Sequence, residues 1–150
     1  MNEELKNKLI QIEPSATIEY SGEWLNVHYE KEHWKKAAQL LRHTIGLEMD
    51  HLFCVTCIDW KIHLTMVYHF TSTIHRHTIV AKVKLDRLNP TIDTVSDIWR
   101  TAEFHEREAY DLFGVVFTGH PDLRRIFLTE EWVGWPLRKD YEDPINMIKL

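Results

Sequence analysis

The order of elements along this chain, α-β-β-α-β-β-β, predicts an α+β domain. The expected architecture is a two-layer sandwich of a mixed sheet with helices on one face, followed by a further helix and an extended C-terminal arm. Three observations lead there. Apolar residues recur three and four apart in two early segments. A long central stretch is rich in β-branched and aromatic residues with strand-like alternation. The prolines divide the chain: Pro14 is early, and Pro90, Pro121, Pro136 and Pro144 are late, so nothing interrupts regular structure between the first two.

Residues 2–12 read as a short helix, with Leu5, Leu9 and Ile12 at helical spacing. "TIEYSGEWLNVHYE" alternates on both sides of Ser21-Gly22 and predicts a hairpin. A second helix is expected over 31–45, where Trp34, Ala37, Ala38, Leu41 and Ile45 form one apolar stripe and Gly46 stops it. Three strands follow, about 52–58, 62–70 and 75–85, separated by Asp59-Trp60-Lys61 and Thr71-Ser72-Thr73. Ile62, Leu64, Met66, Tyr68 and Phe70 alternate strictly, which predicts one buried face and one polar face. A third helix is expected from residue 95, opened by a capping box at Thr94-Val-Ser-Asp97 and closed by Gly114. Its Glu103–Arg107 and Arg107–Asp111 spacings suit ion pairs one turn apart. The resulting division is a core over 1–90, a helix over 91–114, and an arm over 115–150 without sustained periodicity.

With 150 residues the chain has the length of one domain. A compact chain of that size buries roughly 68–70 % of its unfolded surface, which permits a real core. The net charge of −5 weighs against nucleic acid as a partner. No apolar run is long enough to span a bilayer, and the polar start MNEELKNKLIQ does not read as a secretion signal. Two cysteines give no disulfide framework and favour a reducing compartment.

Candidate chemistry fails on geometry. Cys54 and Cys57 of "CVTC" stand an odd number apart in an expected strand and so point to opposite faces. His63, His69, His75 and His77 suggest a metal cluster, with His75 and His77 on one strand face, but no carboxylate or cysteine is interleaved as a further ligand. "HEREA" at 105–109 begins like a zinc-protease helix, yet Ala109 stands where the second histidine belongs. No phosphate cradle or nucleophile elbow is present.

The remaining signal is the third helix and the arm. Glu106, Arg107, Glu108, Tyr110, Asp111, His120, Asp122, Arg124, Arg125, Trp135, Arg138, Lys139, Asp140 and Tyr141 form a set rich in the residue types that anchor interfaces. Some thirty aperiodic residues cannot easily satisfy their own backbone, so the arm is expected to find its contacts on a partner. On this reading the forks of Arg124, Arg125 and Arg138 reach the partner, and Asp122 and Asp140 orient them.

"EREAYDLFGVVFTGHPDLRRIFL" at 106–128, followed by "WVGWPLRKDY", closely resembles the signature of the thirty-kilodalton subunit family of respiratory complex I, the C subunit of NADH–quinone oxidoreductase. "FCVTCIDW" and "MVYHF" fit the family upstream, and Phe104 stands where a tryptophan is expected. The resemblance implies a small α+β fold and a non-catalytic assembly subunit of a proton-pumping NADH–quinone oxidoreductase. It implies docking to the quinone-site subunit of the forty-nine-kilodalton type, with a subunit of the twenty-kilodalton type nearby. Flavin and iron–sulfur clusters would then lie in those partners, with none in this chain, and the protein would be peripheral on the cytoplasmic face of the inner membrane. Alternatives are the equivalent subunit of a membrane-bound hydrogenase or of a reductase with another donor, and a stand-alone protein-binding module.

Overall fold

The computed structural model describes residues 3–143 and 145. The start of the first expected helix, Pro144 and positions 146–150 of the expected arm lie outside the described residues. Helix α1 spans Glu3–Ile12, and β1 (Thr17–Ser21) and β2 (Trp24–Tyr29) form the expected hairpin. Helix α2 covers Lys31–His43, then β3 (His51–Asp59), β4 (His63–Thr71) and β5 (Thr78–Asp86) follow. Strand β6 (Thr91–Asp93), helix α3 (Ala102–Phe113) and strand β7 (Val116–Thr118) come last. The main sheet has the order β1-β2-β5-β4-β3. It is mixed, as the element order predicts: β2 runs parallel to β5, and the other neighbours are antiparallel. A parallel contact needs a long connection, and here α2, β3 and β4 supply it.

The register explains the core. Leu25, Val27 and Tyr29 lie beside Ile79, Ala81 and Val83, which lie beside Phe70, Tyr68 and Met66. All are buried. The stripe on α2 covers this face: Trp34 sits 4.7 Å from the Tyr68 ring and 5.4 Å from Tyr29, and Ala37 and Ala38 let the helix come close. Aromatic pairs of this kind add to stability beyond the area they bury. Leu5 and Leu9 of α1 close the edge of the cluster.

The segment leading into α3 is tied to the same core. Trp99 packs 4.6 Å from Phe70, and its Nε1 donates to the Met49 carbonyl at 2.8 Å. The Thr101 hydroxyl donates to Leu52 O at 2.9 Å, and Arg42 donates to Ile98 O at 3.1 Å. Strands β6 and β7, on either side of α3 in sequence, pair in parallel with Ile92 opposite Phe117.

Several expectations are corrected. Helix α3 starts at Ala102, not at 95. Thr94 and Asp97 do not cap it: the threonine hydroxyl is drawn to Glu106, and Asp97 accepts from Lys35 at 2.5 Å. Residues 95–101 instead form turns, with Trp99 N–H bonded to Val95 O at 2.9 Å. Strands β6 and β7, three residues each, are too short for alternation to reveal. Strand β5 begins at Thr78, so His75 and His77 lie in a turn before it and do not share a strand face. Ile62 is exposed before β4, whereas Leu64, Met66, Tyr68 and Phe70 are buried as expected. The second sheet face is not simply polar, because Val67 and Val80 are buried in it and Trp24, Phe53 and His69 cluster there.

Candidate partner-docking site

Helix α3 meets the arm through a buried ion pair. Asp111 is fully buried and receives Arg125 Nη1 on Oδ1 at 3.0 Å. Its other oxygen accepts backbone N–H bonds from Ile126, Phe127 and Leu128 at 3.2, 2.7 and 3.1 Å. Burial alone would raise this carboxyl's pKa, but the N–H donors and the guanidinium outweigh it and the net shift is downward. The rest of the Arg125 fork binds carbonyls of Asp111, Trp132 and Gly134 at 2.9–3.1 Å. Trp135 covers the guanidinium, with its ring centre 4.5 Å away. One turn earlier, Arg107 donates to Arg124 O and Arg125 O at 3.1 and 3.0 Å.

The arm is pinned again further on. Asp59, at the end of β3, accepts from the Arg87 guanidinium. It also accepts the backbone N–H groups of Lys61 and Lys139, both at 2.7 Å. Despite its burial these donors hold its carboxyl well below the usual range. Arg87 also pairs with Asp140 at 3.1 Å. Arg138 Nε donates to Phe113 O at 2.6 Å, capping the end of α3. Gly114 makes this junction possible. Its φ is +78°, and an added Cβ would lie 2.6 Å from the Trp135 ring.

Glu106 performs a different task. It is wholly buried on the inner side of α3, where it accepts from the Thr94 hydroxyl at 2.5 and 2.9 Å and from Val95 N–H at 3.1 Å. Burial pushes its pKa from 4.5 up to about 7, opposed by the Thr94 and Val95 bonds and by Lys35. It ties the helix to the turn after β6.

With Arg107, Asp111 and Arg125 turned inward, the outer surface carries exposed apolar side chains among the remaining charges. Phe104 on α3 is 60 % exposed, and Phe127 and Val133 in the arm are 66 % and 87 % exposed. Thr101, Phe104, His105, Glu108, Ile126 and Phe127 line a groove of about 340 Å³. Trp132 and Leu137 extend the exposed apolar groups along the arm.

The residues expected to face a partner therefore divide. Arg107, Asp111, Arg125 and Glu106 are buried against their own chain. Arg125 and Arg138 do not offer free forks, because aperiodic backbone needs donors and acceptors and these arginines supply them. The pairs Glu103–Arg107 and Arg107–Asp111 do not form; an exposed pair one turn apart is worth only ~0.2–0.5 kcal/mol, less than what buried carbonyls demand. Arg124 remains exposed and is oriented by Asp122 at 3.0 Å as expected, but Asp140 orients Arg87 and not Arg138. Tyr110 packs against Trp135 at 5.4 Å, and Tyr141 lies beside Gly134. His120 accepts from Asp122 N–H on Nδ1, so its Nε2 carries the proton donated to Glu103 O at 2.9 Å. The Glu108 and Lys139 side chains are exposed. The arm, expected to depend on a partner for its contacts, finds many of them on its own domain, at residues 124–128 and 137–139.

Sequence patterns mark neither Asp59 nor Arg87 as a member of the site, nor Thr94 as the partner of Glu106. Asp59 does carry a signal: it is in phase with the inward-facing Val55 and Cys57, and a carboxylate at a core position demands donors. Cys54 lies opposite His69 and Cys57 opposite Met66, on opposite faces of the sheet. Burial pushes the Cys57 thiol up to about 12, with Asp59 adding to it. The four histidines do not form one group: His69 is 5.8 Å from Trp24, His63 sits at the other end of β4, and only His75 and His77 are together, stacked, with His75 paired to Glu48 at 2.6 Å.

Fold and surface together define the class: a small α+β domain whose final segment is strapped to its last helix and leaves several apolar side chains exposed. Comparison with known proteins gives the family. Residues 27–145 match the family described as "Respiratory-chain NADH dehydrogenase, 30 Kd subunit". The chain is 42 % identical to the NADH-quinone oxidoreductase C/D subunit of Phocaeicola vulgatus, over 86 % of this chain and 24 % of that protein. It is 39 % identical to the C subunit of Roseiflexus castenholzii, over 83 % of this chain and 73 % of the relative. Against the C subunit of Chloroherpeton thalassium it is 42 % identical, over 73 % of this chain and 46 % of the relative. A trypsin-resistant fragment of Nqo5 superposes with a TM-score of 0.68 at 28 % identity, over 81 % of this chain and 98 % of the fragment. A chain of a membrane-bound archaeal sulfane sulfur reductase shares the fold, with a TM-score of 0.81 at 22 % identity over 94 % of this chain and 85 % of that one. The chain belongs to the 30 Kd subunit family of respiratory-chain NADH dehydrogenase. Among the described residues, no helix is long and apolar enough to cross a membrane.

The buried charges lead to two expected outcomes. Arg125→Ala leaves Asp111 without its cation and should destabilise the isolated chain by about 3–5 kcal/mol in urea denaturation. Arg125→Lys should recover less than half of that, because an ammonium cannot span the carboxylate and the three carbonyls; full recovery would show that only charge matters. For Glu106, the unfolded chain ionises near 4.5 and the folded chain near 7. The folded state therefore holds an extra proton between these values, and stability is lost as pH rises through that window. Relative to Glu106→Gln, the wild type should lose about 3 kcal/mol between pH 4.5 and 7 and then level off. Parallel stability curves for the two proteins would contradict the assignment.

Proposed function

We propose that this chain is a structural, assembly subunit in the hydrophilic arm of a proton-pumping NADH–quinone oxidoreductase. It docks on the quinone-site subunit of the forty-nine-kilodalton type, with the twenty-kilodalton-type subunit as its other neighbour. Electrons do not pass through it; flavin and iron–sulfur clusters belong to the partners. Its place is peripheral, on the cytoplasmic face of the membrane. The observation that carries this reading is the arm itself. Arg125 and Arg138 are consumed internally, and the side chains left outward include aromatic and aliphatic groups of the kind that form interface cores. The relatives named as subunits of NADH-quinone oxidoreductase support the assignment to that complex.

The test uses the outward surface, which the fold does not need. Phe127→Asp and Val133→Asp should leave the urea midpoint of the isolated chain nearly unchanged, because surface changes usually fall within about 0.5 kcal/mol. In membranes of strains carrying only the variant, a native gel should show less assembled complex, with quinone reductase activity per assembled complex preserved. Full assembly with lost turnover would replace the scaffold reading with a direct role in the reaction.

A further inference from the structure

The helices cover one face of the main sheet. The opposite face carries a groove at the end of the sheet away from the Trp24–Phe53 cluster. Its volume is about 450 Å³, and Lys82, Lys84, His28 and His63 line it together with Ile58 and Trp60. The register places these groups together. His28 neighbours Lys82 across β2 and β5, and Lys84, Thr65 and Ile58 form one row across β5, β4 and β3. Trp60, in the turn after β3, is 53 % exposed.

Charge selects the occupant. The chain as a whole carries −5, yet this groove gathers two lysines and two histidines around one carboxylate, Glu19. Glu19 is itself engaged by His28 Nε2 at 2.9 Å. Beside it a second hollow, of about 320 Å³, shares His28, Lys82 and Lys84 and has Glu30 on its lining. Among the described residues, no carboxylate forms an ion pair with either lysine. Both lysines therefore line a groove shared with Ile58 and Trp60 without a carboxylate ion-paired to them, which leaves them available to an outside anion. A cationic, partly apolar groove matches an acidic polypeptide segment carrying an apolar side chain. Nucleic acid is the poorer match, since a chain of this net charge repels a polyphosphate.

We infer that this sheet face is a second docking surface, whose occupant is an acidic segment of a neighbouring subunit seated between Lys82 and Lys84 with an apolar residue against Ile58 and Trp60. The inference rests on the assembly reading and adds the chemistry of a contact on a face remote in sequence from the arm. It makes this subunit a two-sided connector, apolar on the side of α3 and cationic on the open sheet.

The test is site-specific photo-cross-linking in the assembled complex. Benzoylphenylalanine replaces Trp60 in one strain and Val133, on the arm surface, in another, and the adducts are sequenced by mass spectrometry. Trp60 should yield an adduct on a partner segment rich in aspartate and glutamate. Lys82→Glu with Lys84→Glu should lower that yield by about fivefold or more while the Val133 adduct is unchanged; Lys82→Gln with Lys84→Gln should give a smaller loss in the same direction. An adduct at Val133 with none at Trp60 overturns the inference and leaves the assembly reading standing. So does a Trp60 adduct on a neutral or basic segment, on a second copy of this chain, or on nucleic acid. A Trp60 yield indifferent to both pairs of lysine substitutions overturns it as well. Absence of adducts at both positions overturns the assembly reading, and this inference falls with it.

Discussion

The buried pair of Asp111 and Arg125 governs the last third of the molecule. A segment without helix or extended sheet must still satisfy its backbone donors and acceptors. Here side chains do it. Asp111 accepts three consecutive N–H groups of the arm, and Arg125 binds carbonyls from both α3 and the arm's far side. Neither group would tolerate burial alone, and each resolves the other's desolvation. Arg107, Arg138 and Asp59 repeat the arrangement at neighbouring points, so the arm follows a path set by a few polar nodes.

That path determines the surface. With Arg107, Arg125 and Arg138 turned onto the domain's own backbone, Phe104, Phe127 and Val133 remain exposed. In the proposed assembly this apolar patch is the interface, the role such patches commonly have on small domains. Lys82 and Lys84 stand on the open face of the sheet, so the two surfaces differ in chemistry and can select different neighbours.

Much of the fold is legible in the sequence because it is periodic. Leu64, Met66, Tyr68 and Phe70 alternate, Trp34, Ala37, Ala38 and Leu41 keep helical spacing, and both patterns report burial directly. Sequence and structure part where a distant residue overrides a local signal. Thr94-Val-Ser-Asp97 has the form of a helix start, but Glu106, twelve residues on, captures the threonine. Arg107 has carboxylates one turn away on either side and binds carbonyls of the arm instead. Arg125 stands out by its type, yet its partner lies fourteen residues back, and no spacing rule connects a helix to an aperiodic loop. The residue types of the site are therefore visible in the sequence, while their direction, inward or outward, is not.

The central claim is that the arm is held by its own chain and not by a partner. Hydrogen–deuterium exchange of the isolated protein tests it most directly, at the amides of Ile126, Phe127 and Leu128 that donate to Asp111. The account expects these amides to be protected well beyond unfolded-chain rates in the free subunit, and to lose that protection in Arg125→Ala. Exchange at unfolded-chain rates in the free subunit, with protection only after assembly into the complex, would contradict it.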